Sequence, residues 1–133
     1  MRVADLMRTD LSTISVDATV ADAVAILADT RLSALPVVDR WGRAVGVLST
    51  REILEAEHRC IGPAARDRLF ERTRALELMA PWPVTITPEP DVTDAARQML
   101  YLGEQRLFVE DEGQLVGVIS QTDIVGAVAT ARI

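Results

Sequence analysis

Apolar residues recur at helical spacing twice along the chain. Val20, Ala23, Val24 and Leu27 stand at i, i+3, i+4 and i+7, and Val92, Ala95, Ala96 and Met99 repeat the stripe 72 positions later. Each stripe predicts an amphipathic helix that packs one face only. Thr19-Val20-Ala21-Asp22 fits a capping box, in which the threonine oxygen accepts a first-turn amide, so the first helix starts there. Ahead of it, residues 13–16 form a short β-branched run ended by Asp17. After it come two aliphatic runs, 35–38 and 44–48, joined by Asp39-Arg40-Trp41-Gly42-Arg43; their counterparts are joined by Asp111-Glu112-Gly113. Apolar runs separated by short polar, glycine-bearing loops predict hairpins. A second helix begins at Ser49 and its counterpart at Ser120. Each half therefore runs strand, helix, strand, strand, helix, the pattern of a small sheet covered by helices on one side.

The halves are an internal repeat. Val3-Ala4-Asp5-Leu6-Met7 recurs as Ala75-Leu76-Glu77-Leu78-Met79, and the same offset of 72 carries Thr13-Ile14-Ser15 onto Thr85-Ile86-Thr87. One residue drops out of the second hairpin, and beyond it Gly46-Val47-Leu48-Ser49 lies over Gly117-Val118-Ile119-Ser120 at an offset of 71. The repeats span 1–58 and 75–133. Residues 59–74 join them, with Gly62-Pro63 as a break and a charged connecting helix after it. A half of this size has too little core of its own, so two halves sharing one core are expected.

Composition then narrows the function classes. The 133 residues are 49% hydrophobic but only 4% aromatic, so the core is built from Val, Leu, Ile and Ala. All 14 cations are Arg; set against 20 acids they leave a net charge of -6, which excludes broad attraction to nucleic acid or an anionic membrane. An anion would need a local basic pocket. The single Cys60 forms no internal disulfide, and the opening residues lack the apolar stretch of a secretory signal, so a cytoplasmic location is expected. No apolar run approaches the ~20 residues of a membrane span.

Candidate chemistry concentrates where an apolar strand meets a helix, at Gly46-Val47-Leu48-Ser49-Thr50-Arg51-Glu52 and Gly117-Val118-Ile119-Ser120-Gln121-Thr122-Asp123. First-turn amides and the helix dipole favour anions, a glycine allows close approach, and a carboxylate accepts two hydroxyl hydrogens; the combination suits a ribose phosphate. The same Ser-x-x-acid spacing is also a capping box, in which both side chains merely satisfy their own helix. A duplicated helix would duplicate its cap, so the two copies do not decide between these readings.

Taken together, Val3-Ala4-Asp5-Leu6-Met7, Thr19-Val20-Ala21-Asp22-Ala23, Ser33-Ala34-Leu35-Pro36-Val37-Val38-Asp39 and Gly46 to Ile53 resemble the cystathionine-β-synthase (CBS) domain. The second half resembles it at Glu77-Leu78-Met79 and from Gly117 to Ile124. The resemblance implies an α/β fold of two βαββα repeats packed about a pseudo-twofold axis. It also implies an adenosine-containing ligand, AMP, ADP, ATP or S-adenosylmethionine, in a cleft between repeats. Residue by residue, Asp123 is the expected ribose acceptor with Ser120 beside it, and Ser49 with Glu52 are their counterparts, where the longer acid moves the carboxylate outward. Arg51 matches an often basic position, and its partner Thr122 brings no charge. The main chain around Ile14 and Val16, and around Ile86 and Pro88, is expected to hold the base. Arg106 matches a phosphate-contacting arginine of the family, with Ala34 as its first-half equivalent, and is expected to serve the Glu52 cleft; its other reading is an exposed strand-entry cation. The resemblance further implies a regulatory sensor rather than an enzyme, with no catalytic residues, metal or required cofactor, and a homodimer formed through helices. A structural or interaction module that has lost ligand binding is the rival reading.

Other residues invite weaker readings. His58 and Cys60 stand at i and i+2, which point to different sides of a helix, and the chain has no second His or Cys to complete a metal or nucleophilic site. Glu110-Asp111-Glu112 is expected to be a solvated turn rather than a cation site. Trp41 and Trp82 are expected to anchor loops on the body of the domain. The arginines from Arg59 to Arg74 alternate with acids, which marks a solvated helical face, and Leu69 and Phe70 on it are candidates for dimer packing.

Overall fold

The computed structural model describes residues 1–130. The first part of the chain forms α1 (Val3–Leu6), β1 (Ile14–Ser15), α2 (Val20–Thr30), β2 (Ala34–Val38), β3 (Ala44–Ser49), α3 (Thr50–His58) and α4 (Gly62–Arg72). It continues as α5 (Ala75–Leu78), β4 (Ala80–Pro81), α6 (Val92–Leu102), β5 (Arg106–Asp111), β6 (Gln114–Ser120) and α7 (Gln121–Ala129). Helices α2, α3, α6 and α7 and strands β1, β2, β3, β5 and β6 fall where the pattern predicts them; α1, α5 and β4 are additional, and the counterpart of β1 is reduced to a single bridge at Ile86. Thr19 accepts the Asp22 amide at 3.2 Å, and α2 buries Val20, Ala23 and Leu27, while Val24, the fourth residue of the stripe, is half-exposed. Asp91 caps α6 by accepting from the Thr93 amide at 2.9 Å, and Val92, Ala95 and Met99 are buried. The second hairpin turns at Glu112 and Gly113, both at positive φ (52° and 80°), as a two-residue turn between right-twisted strands requires.

Two compact units result, and they cut the chain differently from the repeats at 1–58 and 75–133. The first unit is Ser12–Pro83; the second joins Met1–Leu11 to the chain from Val84 onward. Each unit thus takes its short leading helix from the other repeat. Val3 of α1 is fully buried in the core of Ile86, Val92, Met99, Leu107 and Ile119, and Ala75 of α5 is fully buried in that of Ile14, Val20, Leu35 and Leu48. The backbone supports both placements. Val3 and Ala4 amides donate to the Pro90 and Pro88 carbonyls (2.8 and 3.0 Å), and Ala75 and Leu76 amides donate to those of Ala18 and Val16 (2.8 and 3.1 Å).

In the first unit the sheet order is β1-β2-β3-β4, with β1 parallel to β2 and the other pairs antiparallel. The second unit repeats it around β5 and β6, with Ile86 bridging to Val109 in parallel and Arg8 to Val118 in antiparallel fashion. The glycines of the two junctions have a packing role here. A Cβ on Gly117 would stand 2.7 Å from Met7 Sδ, and one on Gly46 would stand 2.5 Å from Met79 Sδ. Close approach is needed, but by the chain's own edge segment.

Helix α4 does not follow Gly62-Pro63 but begins with it, the proline sitting in the first turn where its missing N–H costs no hydrogen bond, and it packs onto α2 and α3. Leu69 on it belongs to the buried core of the first unit, which removes it from the candidate dimer surface, whereas Phe70 is partly buried. Trp41 also departs from expectation: it is 71% exposed, with the Arg40 guanidinium 4.8 Å above its ring, so it anchors nothing. Trp82 is half-buried. Among the described residues no helix is long and apolar enough to cross a membrane.

Candidate functional site

The second-unit junction assembles around Asp123. Strand β6 ends at Ser120, whose cross-strand partner is Arg106 at the start of β5. Ser120 caps α7: its hydroxyl oxygen accepts the Asp123 amide at 3.1 Å, and its own amide donates to Asp123 Oδ2 at 3.2 Å. The capping reading therefore holds in full. Asp123 has a further partner, because its Oδ1 accepts from Nε and Nη2 of Arg8 at 3.2 and 3.1 Å. The carboxylate is only 11% exposed and the arginine side chain 69% exposed, so a sheltered anion lies under a solvated cation. Arg8 is held from behind by its main chain, with its amide 2.8 Å from the Val118 carbonyl and its carbonyl 3.0 Å from the Val118 amide.

The helix start offers less to an anion than its dipole suggests. The Gln121 amide donates to the Gln105 carbonyl at 2.9 Å and the Asp123 amide to Ser120, so within the first three positions at most the Thr122 amide is available. Thr122 itself is exposed.

In the first unit the same positions close on themselves. The Ser49 amide donates to Glu52 Oε1 at 3.3 Å and the Ser49 hydroxyl donates to Glu52 Oε2. The extra methylene does not carry the carboxylate outward, as expected from the sequence; it gives the chain enough length to curl back onto the serine. No arginine stands where Arg8 does, since the residue 72 positions on is Ala80, and Ala34 is the cross-strand partner of Ser49. Arg51 projects from α3 and donates from Nε to Glu55 Oε1 at 3.0 Å, 82% exposed. That hydrogen bond and the charge of Glu55 hold its guanidinium still further above its ordinary pKa. It borders an open groove of about 860 Å³ along α3, which also takes in Leu54, Glu57 and His58 but neither Ser49 nor Glu52.

The segments expected to hold a base are committed to sheet pairing. The Ile86 amide donates to the Phe108 carbonyl at 3.0 Å and its carbonyl accepts the Glu110 amide at 2.9 Å. The Val16 amide donates to the Val38 carbonyl at 3.0 Å, and the Pro88 carbonyl accepts the Ala4 amide at 3.0 Å. Ile14 pairs with Val37, and the side chains of Ile14 and Ile86 are core. A carbonyl keeps a second lone pair, so Val16, Ile86 and Pro88 can still accept from an exocyclic amine. None of those three can donate to a ring nitrogen, because their amides are engaged or, in proline, absent.

Arg8 is the residue of this junction that local sequence pattern does not single out. Its signal was there in the asymmetry of the repeat, an arginine against Ala80, immediately after the matched Met7 and Met79. The Cys60 thiol donates to the Ala56 carbonyl at 3.5 Å, and among the described residues no group of three His, Cys, Asp or Glu side chains is arranged to hold a metal ion.

Comparison with known proteins bears on the family and the fold. The CBS domain family model matches residues 3–59 and 75–130. A CBS domain-containing protein of Dictyostelium discoideum is 30% identical over 126 residues, covering 92% of this chain and 87% of that protein. An uncharacterised protein of Methanocaldococcus jannaschii is 28% identical over 126 residues, which are 94% of this chain but 43% of that protein. Several of the curated relatives are thus much longer than the span matched here. The crystal structure of CBSX2 of Arabidopsis thaliana in complex with AMP superposes with a TM-score of 0.81 at 26% identity, covering 99% of this chain and 98% of that one. With both repeats matched over most of their length, the chain belongs to the CBS domain family and is a tandem CBS pair.

Proposed function

We propose that this chain is a regulatory module that binds an adenosine-containing ligand of the AMP class at the Ser120–Asp123 junction and signals through a dimer or partner contact rather than by catalysis. The observation that carries the reading is the sheltered Asp123 carboxylate with Arg8 against it, at the end of the strand whose neighbour begins with Arg106. Vicinal ribose hydroxyls have an acceptor in Asp123. In a protein of net charge -6, Arg8 supplies local positive charge of the kind a phosphate requires. The full-length likeness to a CBS pair solved with AMP supports the same ligand class. The Glu52 junction, closed by Ser49 and without an arginine at position 80, is the weaker of the two.

Dimerisation is proposed through the apolar trough of about 380 Å³ lined by Val24, Leu32, Ile53, Leu54 and Phe70, where Leu54 is 68% exposed. A ligand at a hundred times its dissociation constant adds about 2.7 kcal/mol of stability, a melting shift of several degrees. Thermal melts over a panel of AMP, ADP, ATP, adenosine and S-adenosylmethionine should show that shift with at least one member, and Asp123→Ala should abolish it. No movement at millimolar ligand would refute the reading. It would favour a structural dimerisation module instead, which sedimentation would report as a dimer indifferent to nucleotides.

A further inference from the structure

This inference rests on the reading that the Ser120–Asp123 junction takes an adenosine-containing ligand, and it concerns which members of that class fit. The Asp123 carboxylate is already occupied. Oδ2 accepts the Ser120 amide at 3.2 Å, and Oδ1 accepts two N–H groups of Arg8 at 3.2 and 3.1 Å. A carboxylate has about four acceptor sites, so three are in use. A diol that places both its hydroxyl hydrogens on this group needs one acceptor site more than is left, so at least one Arg8 N–H has to leave Oδ1.

Arg8 is placed to move without taking the fold with it. Its main chain is fixed by two hydrogen bonds to Val118, while its side chain is 69% exposed, so water and ligand both reach the ion pair. Once displaced, the guanidinium needs another anion, and the ligand decides whether one is present. An uncharged nucleoside supplies none, and S-adenosylmethionine brings a sulfonium cation next to its ribose. A phosphate on the same ribose supplies charge-assisted acceptors that match the arginine fork.

We propose that Arg8 is a specificity-determining residue, selecting nucleotides over nucleosides at the Ser120–Asp123 junction by exchanging its Asp123 partner for the phosphate of the ligand. The selector belongs to the second unit alone, since Ala80 occupies the equivalent place in the first.

The test is calorimetric titration of adenosine and AMP into the full chain, its Arg8→Gln variant and its Arg8→Lys variant. Without the competing cation, R8Q should bind adenosine roughly threefold more tightly, the scale of an exposed ion pair, and AMP roughly tenfold more weakly. R8K keeps the charge without the fork and should retain part of the AMP preference. A purely structural role would move both ligands alike. An AMP-to-adenosine ratio unchanged in R8Q, with both ligands still bound, overturns the role of Arg8 and leaves the ligand reading standing. Binding of neither ligand to any of the three proteins overturns the ligand reading itself, and the selector falls with it. Should R8Q not fold, the ratio in R8K decides: unchanged from the parent protein with its charge point-like, it refutes the exchange.

Discussion

Gly117→Ala tests the packing that holds Arg8 in place. Neither Gly117 nor Gly46 has a positive φ, so what these positions require is space rather than a left-handed backbone. A Cβ at 117 would lie 2.7 Å from Met7 Sδ and 2.9 Å from the Arg8 carbonyl oxygen; at 46 the corresponding distances, to Met79 Sδ and the Ala80 oxygen, are 2.5 and 2.7 Å. A thioether swings aside easily. The Arg8 carbonyl does not, because it accepts from the Val118 amide while the Arg8 amide donates back to Val118. Overpacking of this kind costs about 1–3 kcal/mol, and the stiffer unfolded chain of Gly→Ala offsets about 0.4–1 kcal/mol of it. The net loss expected for Gly117→Ala is about 1–2 kcal/mol, with Gly46→Ala the more damaged of the two. At roughly 3 °C per kcal/mol for a chain of this length, Gly117→Ala should melt about 3–6 °C below the parent protein by circular dichroism. Adding Met7→Ala should not restore full stability, because the clash with the carbonyl remains. A Gly117→Ala protein that melts at or above the parent temperature would refute the reasoning.

Two further perturbations follow from local geometry. Helices α2 and α6 both end in a left-handed residue, but Gly103 (φ 71°) does so in α6 and Arg31 (φ 56°) in α2. Arg31→Gly removes a Cβ penalty of roughly 1 kcal/mol and should leave stability unchanged or raised in a urea titration, where most helix-to-glycine changes lower it; a clear loss would contradict the assignment. Asp91 accepts from the Thr93 amide and hydroxyl, which together hold its carboxyl below the usual carboxylate range. Its folded pKa is therefore lower than its unfolded one. The stability it contributes is present above the unfolded value and is lost as the pH falls through the folded value. Asp91→Asn should accordingly flatten the acid limb of the stability curve below about pH 4, and identical limbs in the two proteins would exclude this contribution.

The fold was legible from short-range signals to the extent that short-range physics dictates it. Val20, Ala23 and Leu27 fall on one face because a helix turns every 3.6 residues, and Thr19 caps that helix because a hydroxyl three residues from an orphan amide reaches it. Met99 and Val92 repeat the design at the same offset. The candidate site was legible in part. Ser120 and Asp123 are three residues apart and meet within one helical turn, as the spacing requires. The behaviour of Glu52 was not, because one methylene leaves a carboxylate free either to extend or to fold back, and only the surroundings choose.

The sequence by itself determined the main helices, the hairpin strands, the core-facing stripes and the Ser-x-x-acid junctions, since each rests on residues within a few positions of one another, and the repeat showed in their recurrence. Tertiary structure decided what those elements meet. It placed α1 in the unit of the second repeat and α5 in that of the first, because the sheet edges there bind them by hydrogen bonds and the cores beneath have room for Val3 and Ala75. It also brought Arg8 onto Asp123 across 115 positions of chain, at a sheet edge that only Gly117 leaves open enough for Met7 to pass. No local pattern encodes such a meeting, because it depends on the sum of many weak contacts that exist only once the whole unit has closed.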